Sequence, residues 1–247
     1  MGSIVPSFIP RDPSSEIYQI YDIFAFSTVG RPLIPFLRKL GLNCTEPQKN
    51  RAYGIVSTLI FFENVYLELF WFEDTSQLAQ YDRTTGFNLL ARLNWLETGA
   101  SPFGFGLSYP TDHDNFLAST VEAIGYNSDK RSISEQLLQF CPINLFNPEE
   151  PICYLVPDYE AQRNRLNRVL AIAEQIMNPS LGMRKLTHVK LRLITDCVLA
   201  IPLVSLGAQN LVDLEYKKHP LLELTFDDGN QNRFMDLRPW IPIVLRY

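Results

Sequence analysis

The sequence contains no apolar run long enough to cross a membrane. Its longest, Val198 to Leu206, is interrupted by Pro202 and falls short of the roughly 18 residues of a membrane helix. Residues 1–10 are apolar but short, lack a basic start and contain Pro6 and Pro10, so they do not predict a secretory signal. We therefore expect a cytoplasmic protein with no membrane partner.

The sequence also lacks a surplus of basic residues. It has 22 Lys and Arg against 27 Asp and Glu, which gives a formal net charge of −5. Binding to a nucleic-acid backbone needs a basic face, so we expect no nucleic-acid partner. With 46% hydrophobic and 20% charged residues among 247, the composition is that of an ordinary globular chain.

Cysteine pairs and the short catalytic motifs are missing as well. The four cysteines are scattered without a CxxC pair, which excludes a cysteine metal site and indicates free thiols in a reducing compartment. GxSxG, the Walker loop, GxGxxG and HExxH do not occur. Of the three histidines, only His188 lies at the start of a predicted strand, where a ligand could be used.

The most informative stretch that is present runs from Ala52 to Asp74. It predicts two aromatic-rich strands joined by a tight turn at Glu63-Asn64, and its second strand carries Glu68 between apolar neighbours. A buried carboxylate is costly unless it is paired, bound to a cation or facing water. Glu68 is therefore either a pocket carboxylate or an outward-facing charge that pairs with an arginine.

Periodicity predicts further elements along the chain. Predicted strands cover residues 17–28, 103–109, 152–156, 188–195, 211–217, 221–226 and 233–237. Predicted helices cover 31–40, the second half of 75–99, 111–125 and 159–177, while 197–208 is turn-like or helical. Ser132 with Glu135 forms a possible capping box.

Two halves of the chain show a similar pattern. The alignment places Asp22 opposite His188 on the first strand of each half, and Glu68 opposite Asp236 on the last. Each residue also has an ordinary structural interpretation. Asp22 could be a cap or strand-edge carboxylate, His188 a structural histidine, and Asp236 a partner of Arg233 or Arg238. A repeat misaligned by one strand would favour Glu223 instead of Asp236.

Several motifs resemble one family. They are DIFAFSTVG at 22–30, FFENVYLELFW at 61–71, SPFG at 101–104, LLEL at 221–224, DLRP at 236–239 and PIVLR at 242–246. Together they resemble the glyoxalase-like members of the vicinal oxygen chelate superfamily, over about residues 17–247. The resemblance implies an α+β fold of paired βαβββ modules whose sheets curl into half-barrels around a cavity. We expect a first module at about 16–74, a helical and strand insertion at about 75–186 and a second module at about 187–247.

The resemblance also implies a site. Metal-using members take ligands from the first and last strands of each module, which correspond here to Asp22, Glu68, His188 and Asp236. Such a set suits Fe, Mn, Zn or Ni, and Glu68 or Asp22 could act as the catalytic base. Related chains usually carry His where this sequence has Asp22, a departure that suits an altered or lost activity or the absence of a metal.

The expected pocket combines aromatic and acidic residues, namely Phe24, Phe26, Tyr66, Phe70 and Glu223. Three functions remain open. The first is a metal-assisted lyase or isomerase of a small oxygen-bearing molecule. The second is a metal-free protein that sequesters a small apolar molecule, and the third is a partner protein with a filled cavity. The resemblance further implies a homodimer.

Overall fold

The structure, a computed structural model, describes residues 18–28, 30, 32–50, 55–73, 75–85, 87–108, 139–140, 147–155, 181–194, 199 and 201–247. The helices predicted at 111–125 and 159–177 and the capping box at Ser132 lie outside these residues. In the part of the chain that is described, no helix is long and apolar enough to cross a membrane.

The described chain folds into two sheets with short helices, which confirms the α+β class. The strands are β1 (Gln19–Phe26), β2 (Gln48–Asn50), β3 (Ile55–Phe61), β4 (Tyr66–Phe72), β5 (Phe103–Ser108), β6 (Gln139–Phe140), β7 (Ile152–Leu155), β8 (Leu186–Leu193), β9 (Val212–Tyr216), β10 (Leu221–Phe226), β11 (Phe234–Asp236) and β12 (Ile243–Arg246). The helices are α1 (Leu33–Lys39), α2 (Thr75–Thr85), α3 (Leu89–Leu93), α4 (Trp95–Thr98) and α5 (Ile201–Ala208).

The first sheet has the strand order β2-β3-β4-β1-β5-β7-β6. Its first four strands, with α1 between β1 and β2, form the expected βαβββ unit: β1 lies parallel to β4, and β4 pairs antiparallel with β3. Strands β5, β6 and β7 come from the segment expected to be an insertion, and they extend this same sheet through an antiparallel β1–β5 pair. The antiparallel pair β1–β5 forms the centre of the sheet, with β4 parallel to β1 on one side and β7 parallel to β5 on the other. This arrangement gives the sheet an approximate internal twofold symmetry.

The second sheet has the order β11-β12-β10-β8-β9 and repeats that pattern in reduced form. Its antiparallel centre is β8–β10, and the parallel flanks are β9 and β12. The parallel neighbour of β8 is therefore β9, whereas β11 lies at the sheet edge beside β12. The structure thus does not place Asp236 of β11 at the position equivalent to Glu68 of β4.

The alternation of buried and half-buried side chains along each strand shows which face of the sheet packs into the core. On β4, Leu67, Leu69 and Trp71 are buried while the residues between them are half-buried. The buried sides of both sheets meet in one hydrophobic core that also includes residues of α1 and α5, such as Leu33 and Leu203. The opposite face of the first sheet is partly covered by a second buried cluster that includes residues of α2 and α3. The candidate sites lie on these opposite faces of the two sheets.

Arg92 of α3 fixes the segment beside the first sheet. Its guanidinium is buried and donates hydrogen bonds to four backbone carbonyls, those of Phe87, Ser101, Asn147 and Glu150. Burial lowers the pKa of Arg92 to about 10. One side chain thereby ties α3 to the turn that precedes β7.

Candidate functional site

Asp22 lies at the centre of the first sheet and is fully buried. The Tyr154 hydroxyl of β7 donates a hydrogen bond to its Oδ2 atom at 2.6 Å. Its Oδ1 atom is buried, and no hydrogen bond to it is found within the part of the chain that the structure describes. The carboxyl fits because β5 has a glycine opposite: a Cβ atom on Gly106 would lie 1.6 Å from Oδ1.

Burial changes the acidity of this carboxyl. It raises the pKa of Asp22 from its ordinary 3.8 to about 7, although the Tyr154 hydroxyl, the Tyr66 hydroxyl and the Gly106 amide act in the opposite direction. Burial and the neighbouring Asp22 charge raise the pKa of Tyr154 well above its ordinary value. Near neutral pH, Asp22 can therefore be either protonated or charged.

Glu68 occupies the same face of the sheet as Asp22. It stands opposite Phe24 on the parallel strand, and Tyr66 stands opposite Asp22. Unlike Asp22, both Tyr66 and Glu68 are half-buried. The charge on Glu68 also contributes to the raised pKa of Tyr154. We call Asp22, Tyr66, Glu68 and Tyr154 the Asp22 cluster.

An aromatic wall adjoins the cluster. The ring of Phe24 contacts those of Phe26, Phe70 and Tyr154 at centroid distances of 5.8, 5.4 and 6.2 Å. Phe24 fills the space above Gly104, where a Cβ atom would lie 2.0 Å from its Cζ. Of the predicted pocket aromatics, Phe24 and Phe26 are buried in a hydrophobic cluster with residues of α2 and α3, and the half-buried Phe70 packs against that cluster. Tyr66 is half-buried as well.

The remaining predicted residues lie on the second sheet and contact charged partners. His188 Nε2 lies 3.2 Å from Oδ2 of Asp213. Asp236 accepts hydrogen bonds from Arg238, which lower the pKa of Asp236. The buried Glu223 pairs with two arginines described below.

The residues present do not fit the expected metal centre. Asp22 and Glu68 share a face of the first sheet, but His188 and Asp236 belong to the second. Among the described residues, no three His, Cys, Asp or Glu side chains come close enough together to hold a metal ion. On β5, the space a ligand would need beside Asp22 belongs to Gly106 and is filled by the Asp22 and Tyr154 side chains.

Sequence reasoning missed Tyr154 and Gly106 as parts of the site. The available signal was Gly104-Phe105-Gly106 inside a predicted strand, because glycine within a strand often marks the close approach of another group. Tyr154 carried no comparable signal, since its contact with Asp22 joins residues 132 positions apart.

Comparisons with known proteins establish the fold and no more. No family model matches the sequence, and no curated protein matches it. A hypothetical protein from Staphylococcus aureus has a similar structure, with a TM-score of 0.56 at 9% identity, covering 93% of this chain and 99% of that one. The hypothetical protein BH1468 from Bacillus halodurans C-125 aligns with a TM-score of 0.34 at 8% identity, covering 57% and 94%.

Methylmalonyl-CoA epimerase from Mycobacterium tuberculosis aligns with a TM-score of 0.35 at 13% identity, covering 58% of this chain and 91% of that one. The TM-scores of BH1468 and of the epimerase are too low to support an argument. The similarity to the Staphylococcus aureus protein shows that the two-sheet architecture occurs elsewhere over almost the same length, and it indicates no activity.

Proposed function

We propose that the first sheet binds a small molecule with an apolar or aromatic body and one hydrogen-bond donor, without a resident metal. The observation that carries this proposal is the Asp22 cluster beside the aromatic wall. Tyr66, Glu68 and Phe70 keep half-buried surface on one face, and the buried Asp22 lies on that same face. An apolar wall with a few polar groups is the usual composition of a small-molecule site.

Each group has a role in this proposal. Phe70 contacts the apolar body of the ligand, and the Glu68 carboxylate accepts a hydrogen bond from its donor. Asp22 acts from behind this surface, because its charge state alters the field at Tyr66 and Tyr154. Since the pKa of Asp22 is about 7, we expect binding to vary across neutral pH.

The test is a thermal-shift screen with aromatic alcohols, phenols and amines, using the corresponding hydrocarbons as matched ligands without a donor. A binder is expected to raise the melting temperature of the wild type. Glu68→Leu, which removes the acceptor, should lose most of the shift, whereas Glu97→Leu on the exposed surface of α4 should keep it. Equal shifts with alcohols and hydrocarbons, or an unchanged shift in Glu68→Leu, would contradict the proposal.

The second candidate is the metal-assisted lyase or isomerase implied by the family resemblance. It is favoured by the two carboxylates, Asp22 and Glu68, on one face of the sheet. Elemental analysis of the purified protein for Fe, Mn, Zn and Ni separates the two candidates. Near-stoichiometric metal that Glu68→Ala loses would refute the metal-free candidate and support the metal-assisted one. The homodimer remains a proposal from the resemblance, to be checked by sedimentation.

A further inference from the structure

A small pocket opens on the face of the second sheet opposite the shared core. On β10, Leu222 and Leu224 enter the core, so the intervening Glu223 points to the other face. The pocket has a volume of about 180 Å³. Its charged lining consists of Arg192, Glu223, Asp236, Arg238 and Arg246.

Glu223 is held between two arginines in this pocket. Arg192 donates from Nη2 to Oε1 at 2.7 Å, and Arg246 donates from Nε to Oε2 at 2.6 Å. The Glu223 side chain is only 7% exposed, so the partly exposed arginines form the accessible surface above it. Both carboxylate oxygens already have partners, so Glu223 offsets part of the arginine charge from beneath the pocket.

Within the described residues, the three arginines have donor groups that make no hydrogen bond. Neither terminal nitrogen of Arg246 bonds to any residue in the described part of the chain, and the same holds for Nη1 of Arg192 and Nη1 of Arg238. Three arginines against the carboxylates of Glu223 and Asp236 leave the lining with a net charge of +1. This positive pocket lies on a chain whose overall charge is −5.

The rest of the lining is apolar. Leu221 and Val244 flank Glu223, and Phe234 on the edge strand is 66% exposed. An exposed phenylalanine beside unused guanidinium donors suits a ligand with both an apolar body and an anionic group.

We propose that this pocket binds a small organic monocarboxylate with a compact apolar or aromatic body. The planar guanidinium fork matches a carboxylate with two parallel hydrogen bonds. One negative charge neutralises the lining, whereas a phosphate monoester would overcompensate it. The pocket is also smaller than the roughly 300 Å³ of ordinary ligand sites, which favours a compact ligand.

The experiment is calorimetric titration of the full chain with benzoate, with benzamide as the uncharged molecule of the same shape. Benzoate should bind and benzamide should bind at least about tenfold more weakly, because a hydrogen bond to a charged group is worth roughly 1.5–3 kcal/mol. Binding should weaken as salt is added, since two of the three arginine side chains are about half exposed.

Three variants make the test specific to this pocket. Arg246→Gln should weaken benzoate binding by about tenfold or more, and Phe234→Ala should weaken it by a smaller factor. Glu223→Gln should strengthen it, because the lining charge rises from +1 to +2; a purely structural role for Glu223 predicts no gain. Arg38→Gln removes a surface arginine of α1 that pairs with Glu46 and serves as the control, with unchanged affinity.

Melting curves confirm that each variant is folded, and Arg238→Gln replaces Arg246→Gln if that variant is not folded, with the same expected loss of about tenfold or more. The proposal is overturned if benzoate does not bind, if benzamide binds equally well, or if Glu223→Gln weakens binding. Phenyl phosphate binding more tightly than benzoate would overturn the assignment to monocarboxylates.

Discussion

At the Asp22 carboxyl, burial and hydrogen bonding act in opposite directions on the same proton. Burial dominates, so the folded state holds the proton up to a pH near 7, whereas the unfolded chain releases it near 3.8. The Tyr154 hydroxyl can donate to Oδ2 in either state.

This difference in pKa predicts a pH-dependent stability. Between pH 4 and 7 the folded state binds more protons at Asp22 than the unfolded state does. The contribution of Asp22 to the free energy of unfolding is therefore fully present below pH 4 and is lost as the pH rises towards 7. The full difference corresponds to at most about 4 kcal/mol. Asp22→Asn should remove this pH-dependent loss of stability. The free energy of unfolding of the variant should therefore rise relative to that of the wild type as the pH increases from 4 to 7.

Urea denaturation at each pH from 4 to 8 measures the effect. Asp228→Asn, which changes an exposed carboxylate in the turn after β10, is the control and should follow the wild type. If Asp22→Asn and the wild type show parallel pH profiles, the buried carboxyl does not titrate as described.

At the scale of the element, β5 is shaped by its two glycines. Gly104 and Gly106 lie on the face that carries Phe24 and Asp22. The space that a Cβ atom would occupy at Gly104 is filled by the Phe24 ring, and at Gly106 by the Asp22 carboxyl group. The close approach of Asp22 and Tyr154 therefore depends on β5 having no side chain at residue 106. The same requirement explains why β5 offers no ligand at the centre of the site.

Gly106→Ala should be strongly destabilising. The added methyl group would lie 1.6 Å from Asp22 Oδ1 and 2.6 Å from the Tyr154 hydroxyl, so strands or side chains must move. We expect a loss of about 3 kcal/mol in the free energy of unfolding, measured by urea denaturation at pH 7. Gly207→Ala in α5 is the matched control, because its Cβ would meet only the Val212 carbonyl at 3.6 Å.

The control should be neutral or stabilising by up to about 1 kcal/mol, since alanine favours a helix over glycine. A Gly106→Ala protein as stable as the control would mean that β5 and β1 can separate at little cost, and the close packing around Asp22 would then not constrain the site.

Helices and strands with strong local sequence patterns could be predicted from the sequence, but which strands pair with one another in the sheets could not. The hairpin predicted within residues 52–74 is confirmed over its described strands, Ile55–Phe61 and Tyr66–Phe72. The strand at 221–226 and the short helix after residue 31 are confirmed too, because alternation and turn residues are local signals. Strand pairing is not local. Nothing in the segment around Asp236 shows that β12 would separate it from β10, so an alignment by pattern placed it in the wrong position relative to Glu68.

The candidate site divides in the same way. Asp22 and Glu68 were brought together by the family resemblance, which implies that the first and last strands of one βαβββ unit share a site, and the strand register places them on one face. The partners Tyr154, Arg192 and Arg246 come from other strands, and only the tertiary structure shows that they reach Asp22 and Glu223.

At the scale of the whole molecule, the two sheets share one core. The turn of the first-sheet hairpin is joined to β8 by hydrogen bonds between Asn64 and the backbone of Leu186, at 2.8 and 2.9 Å. Beneath this junction the rings of Phe62 and Phe226 pack at a centroid distance of 4.2 Å. Because apolar residues of both sheets are buried together, we expect them to unfold as one cooperative unit.

Phe226→Ala tests this cooperativity. The ring is fully buried, so its removal should cost about 3–5 kcal/mol. If the core is shared, hydrogen exchange should accelerate by similar factors in peptides from β4 of the first sheet and β10 of the second. Phe234→Ala, which removes an exposed ring, is the control and should leave both rates nearly unchanged. Faster exchange confined to the second sheet would instead show two independently stable units, and a ligand bound beside Glu68 and Phe70 would then not stabilise the pocket lined by Arg192, Arg238 and Arg246.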